Sequence, residues 1–231
     1  MHENRLETES KDKRSCAGDA RTKETVLCRK KGSMLEQVLD RRNIEKALKQ
    51  VMRNKGTGGV DGMQTEDLRA YLNENWQSLC ADILSGSYKP SPVRKVEIPK
   101  PNGGKRMLGI PTVLDRLVQQ AIRQWLTPKY EEQFSKHSYG FRPNKRAHQA
   151  VMQAQVYIKA GKDWIVELDL EKFFDKVNHD RLMSILSRTV MDKPTLKLIR
   201  IYLTSDIMEN GVLSQRTEGT PQGSPIAPRT H

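Results

Sequence analysis

Cysteine is scarce. The 231 residues contain three, Cys16, Cys28 and Cys80, with no CxxC pair and no Cys/His cluster. An odd and widely spaced set argues against a disulfide framework and against a structural zinc site, so a reduced, cytoplasmic setting is the expectation. Long apolar runs are missing as well. No stretch approaches the roughly eighteen consecutive apolar residues of a membrane span, and the opening MHENRLETESKDKRS lacks the apolar core of a signal peptide. No membrane partner is therefore expected. Nothing repeats at a fixed period, which argues against a solenoid. Acidic residues are outnumbered: 28 Asp and Glu face 40 Lys and Arg, giving a formal net charge of +12 and a pI near 9.7. The basic residues recur along the whole chain, a field that favours polyanions, most simply nucleic acid, over a merely solubilising surface.

The length admits one large domain or two small ones with a core that needs no staple. Residues 1–33 are polar, mixed in charge and without hydrophobic period, and read as a disordered tail. From Met34, apolar residues recur at three- and four-residue spacing through Met52, and again from Leu68 to Ile83, with the glycine-rich KGTGGVDGM between them. Helices are expected on both sides of that loop, over 34–86. SYKPSPVRKVEIPKPNGGKRMLGIP then predicts a hairpin: Val93 to Ile98 out, Asn102-Gly103-Gly104 around, Arg106 to Ile110 back. Pro111-Thr112 opens a helix that Pro128 should limit. SYGFRPNKRAHQAV runs from an aromatic and basic loop into another helix. Asn178 can cap a helix through Leu186, Pro194 can start one reaching Leu203, and Asn210-Gly211 marks a second hairpin. Helices dominate early and short strands later, which makes this an α+β chain.

WIVELDLEKFFDKVNHDRL, Trp164 to Leu182, begins like a strand. Alternation would put Trp164, Val166, Leu168 and Leu170 on a core face and Ile165, Glu167 and Asp169 on the other. Carboxylates on that second face are compatible with a half-solvated sheet or with a metal site. Phe173 reads as a core aromatic and Glu167 as a solvated strand residue.

VRKVEIPKPNGGKRMLGIPTVLDRLVQQAI, SYGFRPNKRAHQAV, WIVELDLEKFFDKVNHDRL and EGTPQGSP closely resemble four successive blocks of reverse transcriptases. The branch they resemble is the one encoded in bacterial group II introns, where reverse transcriptase and maturase share a protein. NKGTGGVDGM and the helices before it resemble that branch's N-terminal extension, so the likeness runs from Leu35 to Pro225. It implies a right-hand polymerase, with residues 34–86 as a helical extension of the fingers and 87–231 as fingers followed by palm from about residue 164. It implies RNA-directed DNA synthesis, an in-line attack of a primer hydroxyl on a deoxynucleoside triphosphate assisted by two Mg²⁺ ions. The partners implied are an RNA template, intron RNA and a DNA primer.

Carried residue by residue, the resemblance makes Asp169 a catalytic metal ligand and the carbonyl of Leu170 a second ligand. Phe174 becomes the wall that excludes a ribose 2′-hydroxyl. Lys100 and Arg106 hold the triphosphate, Gln222 and Gly223 contact nucleotide and template, and Arg142, Lys145 and Arg146 lie along RNA. The family's later Tyr-x-Asp-Asp block has no counterpart, since no Asp follows Asp206. The expectation is a polymerase hand cut before its Asp-Asp turn and thumb, inactive alone, with a non-catalytic intron-RNA binder as the alternative.

Overall fold

The computed structural model of the chain describes residues 33–99 and 103–226, with the side chain of Arg106 outside that description. Residues 1–32, most of the expected tail, also lie outside it, as do Lys100 and the start of the first turn.

Two helices open the fold, α1 (Met34–Val38) and α2 (Arg41–Arg53). Each begins where a short polar side chain answers an otherwise orphaned amide: Ser33 Oγ accepts from Glu36 N at 3.3 Å, and Asp40 Oδ1 from Arg42 N at 2.9 Å. α3 (Leu68–Ser85) ends at Gly86, whose φ of 75° supplies the left-handed cap. The apolar periodicity read from the sequence is the buried stripe here, with Ile44, Leu48 and Val51 on α2 and Leu68, Leu72, Leu79 and Ile83 on α3.

The hairpin follows as β1 (Val93–Pro99) and β2 (Lys105–Ile110), antiparallel with Ile98 opposite Arg106 and Arg94 opposite Ile110. α4 (Val113–Glu131) is capped by Thr112, whose Oγ1 accepts from Asp115 N at 3.1 Å. It is the central helix: Val113, Leu117, Val118, Ala121 and Ile122 have no exposed surface. Asn43 ties α2 to it, donating from Nδ2 to the Val38 and Ala121 carbonyls at 2.7 and 3.0 Å. Pro128 does not end this helix but sits within it. Near a C-terminus little is lost by a missing N–H, because only a few residues remain to be propagated.

α5 (Ala147–Lys159) is followed by an irregular segment, then a 3-10 turn at Phe173–Asp175. α6 (His179–Leu186) starts where Asn178 Oδ1 accepts from Arg181 N. α7 (Lys193–Leu203) starts where Asp192 accepts from Thr195, with Pro194 in its first turn. The second hairpin is β3 (Ile207–Glu209) and β4 (Val212–Ser214), turned by Asn210 and Gly211, both at positive φ. β3 pairs parallel to β1 through Val93–Ile207, so the two hairpins join in one four-stranded sheet of order β2-β1-β3-β4. The α+β reading holds.

The expected palm strand does not form. Residues 162–170 have no regular structure, and the supposed core face is open, with Trp164 97% and Leu168 90% exposed. A strand is completed by neighbours that take its N–H and C=O groups and cover one face, and no described strand lies beside this run. Phe173, expected in the core, is half exposed. Among the described residues no helix is long and apolar enough to cross a membrane.

Candidate active site

The 3-10 turn and the PQG loop meet at one cleft. Asp169, Leu170, Lys172, Phe173, Phe174 and Gln222 line a space of about 480 Å³. The turn is held to the loop through the backbone: Thr220 N donates to Phe174 O at 2.7 Å and Gly219 N to Val177 O at 2.8 Å. His179 Nε2, buried, contacts the Gly219 carbonyl at 2.7 Å. Phe174 is half-buried and meets Phe173 edge to face, ring centroids 5.3 Å apart, so it forms the fixed aromatic wall of the cleft. Asp169 is exposed, with Oδ1 accepting from Leu170 N at 2.9 Å.

Gln222 Nε2 donates to Asp175 Oδ1 at 3.2 Å, which sets the orientation of that amide at the cleft edge. Gly223 has φ +109°, and a Cβ there would stand 2.9 Å from the Gly109 carbonyl oxygen, so any side chain at this position is strained. Gly109 N in turn donates to Gln222 O at 2.8 Å, clasping the loop to the end of β2. From below, Ser224 Oγ makes a short hydrogen bond to Gln119 Oε1 of α4.

The first hairpin rests on a buried carboxylate. Asp115 accepts from Tyr88 Oη at 2.6 Å, Thr112 Oγ1 at 2.6 Å and Ser91 N at 3.1 Å. Burial pushes its pKa above the ordinary carboxylate value, and the three donors pull partly the other way. Tyr88 is pushed well above the usual phenol range, first by burial and then by the Asp115 charge.

Of the three residues expected along RNA, Arg142 is turned inward. Its guanidinium donates to the Ser135 and Ser138 carbonyls at 2.5 and 3.0 Å and pairs with Glu131 at 2.7 Å. Arg146 is exposed at the start of α5, its N–H donating to Gln149 Oε1 at 2.8 Å. Lys145 lies 5.2 Å from the Tyr139 ring centre. None of the three lines the cleft. Arg106 stands on β2 opposite Ile98, and Lys100 falls outside the described residues.

A two-ion Mg²⁺ site needs about six oxygen ligands per ion. Among the described residues no three His, Cys, Asp or Glu side chains cluster. Asp169 and the Leu170 carbonyl alone do not fit such a site.

The sequence model of the family described as Reverse transcriptase (RNA-dependent DNA polymerase) matches residues 98–230. The chain belongs to the reverse transcriptase family. Among sequence relatives of this reverse transcriptase, Protein YkfC of Escherichia coli (strain K12) is 37% identical over 176 residues, covering 74% of this chain and 46% of that protein. Group II intron-encoded protein LtrA of Lactococcus lactis subsp. cremoris is 33% identical over 176 residues, 76% of this chain and 29% of that one. LtrA is by name a group II intron-encoded protein, the branch to which the sequence blocks point. The chain thus spans less than half the length of these relatives. In fold it is similar to a chain of a partial Cas6-RT-Cas1–Cas2 complex, with TM-score 0.57 and 23% identity over 85% of this chain and 32% of that one.

Sequence reasoning missed Asp175, His179 and Asp115. Asp115 carried a signal, since Thr112-x-x-Asp115 has capping-box spacing. Asp175 carried none, because its partner Gln222 lies 47 residues away.

Proposed function

We propose that this chain supplies the fingers and first palm segment of an RNA-directed DNA polymerase encoded by a group II intron. Reverse transcriptases generally use divalent metal ions, and in this reading the ions are Mg²⁺. Held by a complete set of oxygen ligands, such ions would supply charge stabilisation for nucleotidyl transfer. Asp169 and the Leu170 carbonyl would be two of those ligands. Phe174 excludes the ribose 2′-hydroxyl of the incoming nucleotide; pocket shape alone rejects an added hydroxyl weakly, so a rigid aromatic wall against the sugar suits the task. Lys100 and Arg106 hold the triphosphate, and Gln222, oriented by Asp175, meets the nucleotide. Gly223 lets the loop backbone approach. Lys145 and Arg146 face RNA phosphates, with Arg142 bracing the loop that carries them. The RNA template, intron RNA and DNA primer are the partners, in the cytoplasm.

The observation that carries this reading is the convergence of Asp169, Phe174 and Gln222, from segments 48 positions apart, on one cleft. Because the carboxylate set is incomplete, the chain alone should not polymerise. Primer extension on poly(rA)/oligo(dT) tests it: no product is expected, and Mg²⁺-dependent product abolished by Asp169→Ala would overturn the inactivity.

The net charge of +12 favours a second reading, a non-catalytic intron-RNA binder. A salt-dependent gel shift with structured intron RNA against a scrambled RNA separates the two kinds of affinity. Equal binding of both RNAs would sink the specific-binder reading.

A further inference from the structure

A second cavity, of about 310 Å³, opens on the other side of Gln222, between the sheet and the 215–222 loop. That volume lies at the lower end of the range for small-molecule pockets, about 300–1,000 Å³. Two of its lining residues carry buried polar atoms with no hydrogen-bond partner, Arg216 Nη1 and Thr220 Oγ1. A buried polar atom left unsatisfied is costly, and a group bound in this cavity would supply both missing partners.

The chemistry of the lining narrows that ligand. Lys95, the other cation, is already paired with Glu209 at 2.8 Å. Arg216 is in no ion pair among the described residues, and burial lowers its pKa while the nearby Asp175 charge opposes that shift. Asp175 and Glu218 put carboxylates on the same lining, which disfavours a bare phosphate. Met107, Leu108, Ile207 and Pro221 add apolar surface. A ligand that suits all of these is flat and apolar on its faces, with acceptors on one edge and donors on the next.

We infer that this cavity is a base slot preferring guanine, in which Arg216 donates to O6 and N7 while Asp175 or Glu218 accepts from the N1–H and N2–H₂ edge. Arginine matches the O6/N7 pair bidentately, whereas adenine replaces the O6 acceptor with an amino donor and would face the guanidinium donor to donor. Thr220 Oγ1 completes the polar rim. The base arrives either on a single strand of nucleic acid or as a free nucleotide.

The test is calorimetric titration of the full chain with GMP, AMP, CMP and UMP, without divalent cation so that the Asp169 site plays no part. GMP should bind at least about tenfold tighter than the others, the order of effect of one good bidentate pair. Arg216→Lys, which keeps the charge and loses the fork, should bring that preference below about twofold. Thr220→Val should weaken GMP several-fold, and circular dichroism of both variants checks that they fold. Equal binding of the four nucleotides, or a guanine preference unchanged in Arg216→Lys, overturns the proposal. A uridine oligonucleotide bearing one guanine should bind tighter than GMP if the base comes on a strand, and no better than GMP if it comes free; both results keep the slot. The slot does not rest on the polymerase reading: product or no product in primer extension leaves the expected guanine preference unchanged.

Discussion

The helical core and the segment that carries Asp169 are built on opposite terms. In α2, α4 and α7 the apolar stripe is covered on every turn, with Leu117, Ile122, Ile199 and Leu203 almost wholly buried. From Ala147 through Leu170 no residue is buried, although Val151, Met152, Val156, Ile158, Trp164, Val166 and Leu168 are all large and apolar. Hydrophobic composition is equal to the task in both regions; what differs is whether another described element packs against it. The Asp169 carboxylate thus sits on the part of the described chain with the least support.

Substitutions should expose that contrast. Ile122→Ala should lower unfolding free energy by about 2–5 kcal/mol, while Leu168→Ala should change it by about 0.5 or less, both read by chemical denaturation. Similar losses at the two positions would mean that the 164–170 run has a packed partner.

Asp115→Ala should cost about 2–4 kcal/mol, since three donors lose their acceptor. The pH dependence has a definite sign. Asp115 has a folded pKa raised above its ordinary 3.8, so its contribution is fully present below that value and is lost as pH rises through the folded pKa. Wild type should therefore lose stability relative to Asp115→Asn across that window, as measured by denaturation at a series of pH values.

Gly223→Ala should cost roughly 1–3 kcal/mol, because its Cβ would press on the Gly109 carbonyl at a φ that disfavours side chains. The basic loop offers a paired change, of which the Arg146 half is the smallest effect. Arg142→Ala should destabilise by about 1–3 kcal/mol through its lost carbonyl contacts. Arg146→Ala should leave stability within about 0.5 kcal/mol and reduce the salt slope of RNA binding by about 1. If the two residues behave alike, the division between brace and RNA contact is wrong.

Elements whose signal is local are legible in the amino-acid order itself. Asn210-Gly211 specifies its hairpin through positive φ at both residues, and Thr112, Asn178 and Asp192 or Pro194 mark helix starts through caps that act within three residues. The 164–170 run misleads because alternation reports what a strand would bury, not whether a partner strand is present. The parallel pairing of β1 with β3 and the Asp175 contact to Gln222 link residues 47 or more positions apart, and no spacing rule encodes them. For the cleft, the reverse transcriptase blocks locate Asp169, Phe174 and Gln222, which the fold brings together, but they group Arg142 with Lys145 and Arg146 when it is bound to its own loop.

Amide hydrogen exchange resolved by residue tests the contrast most directly. Slow exchange is expected at Leu117 through Ile122 in α4, and exchange without protection at Ile165 through Leu170. Protection of the 165–170 amides comparable to that of α4 would show a paired strand beneath Asp169 and contradict the account.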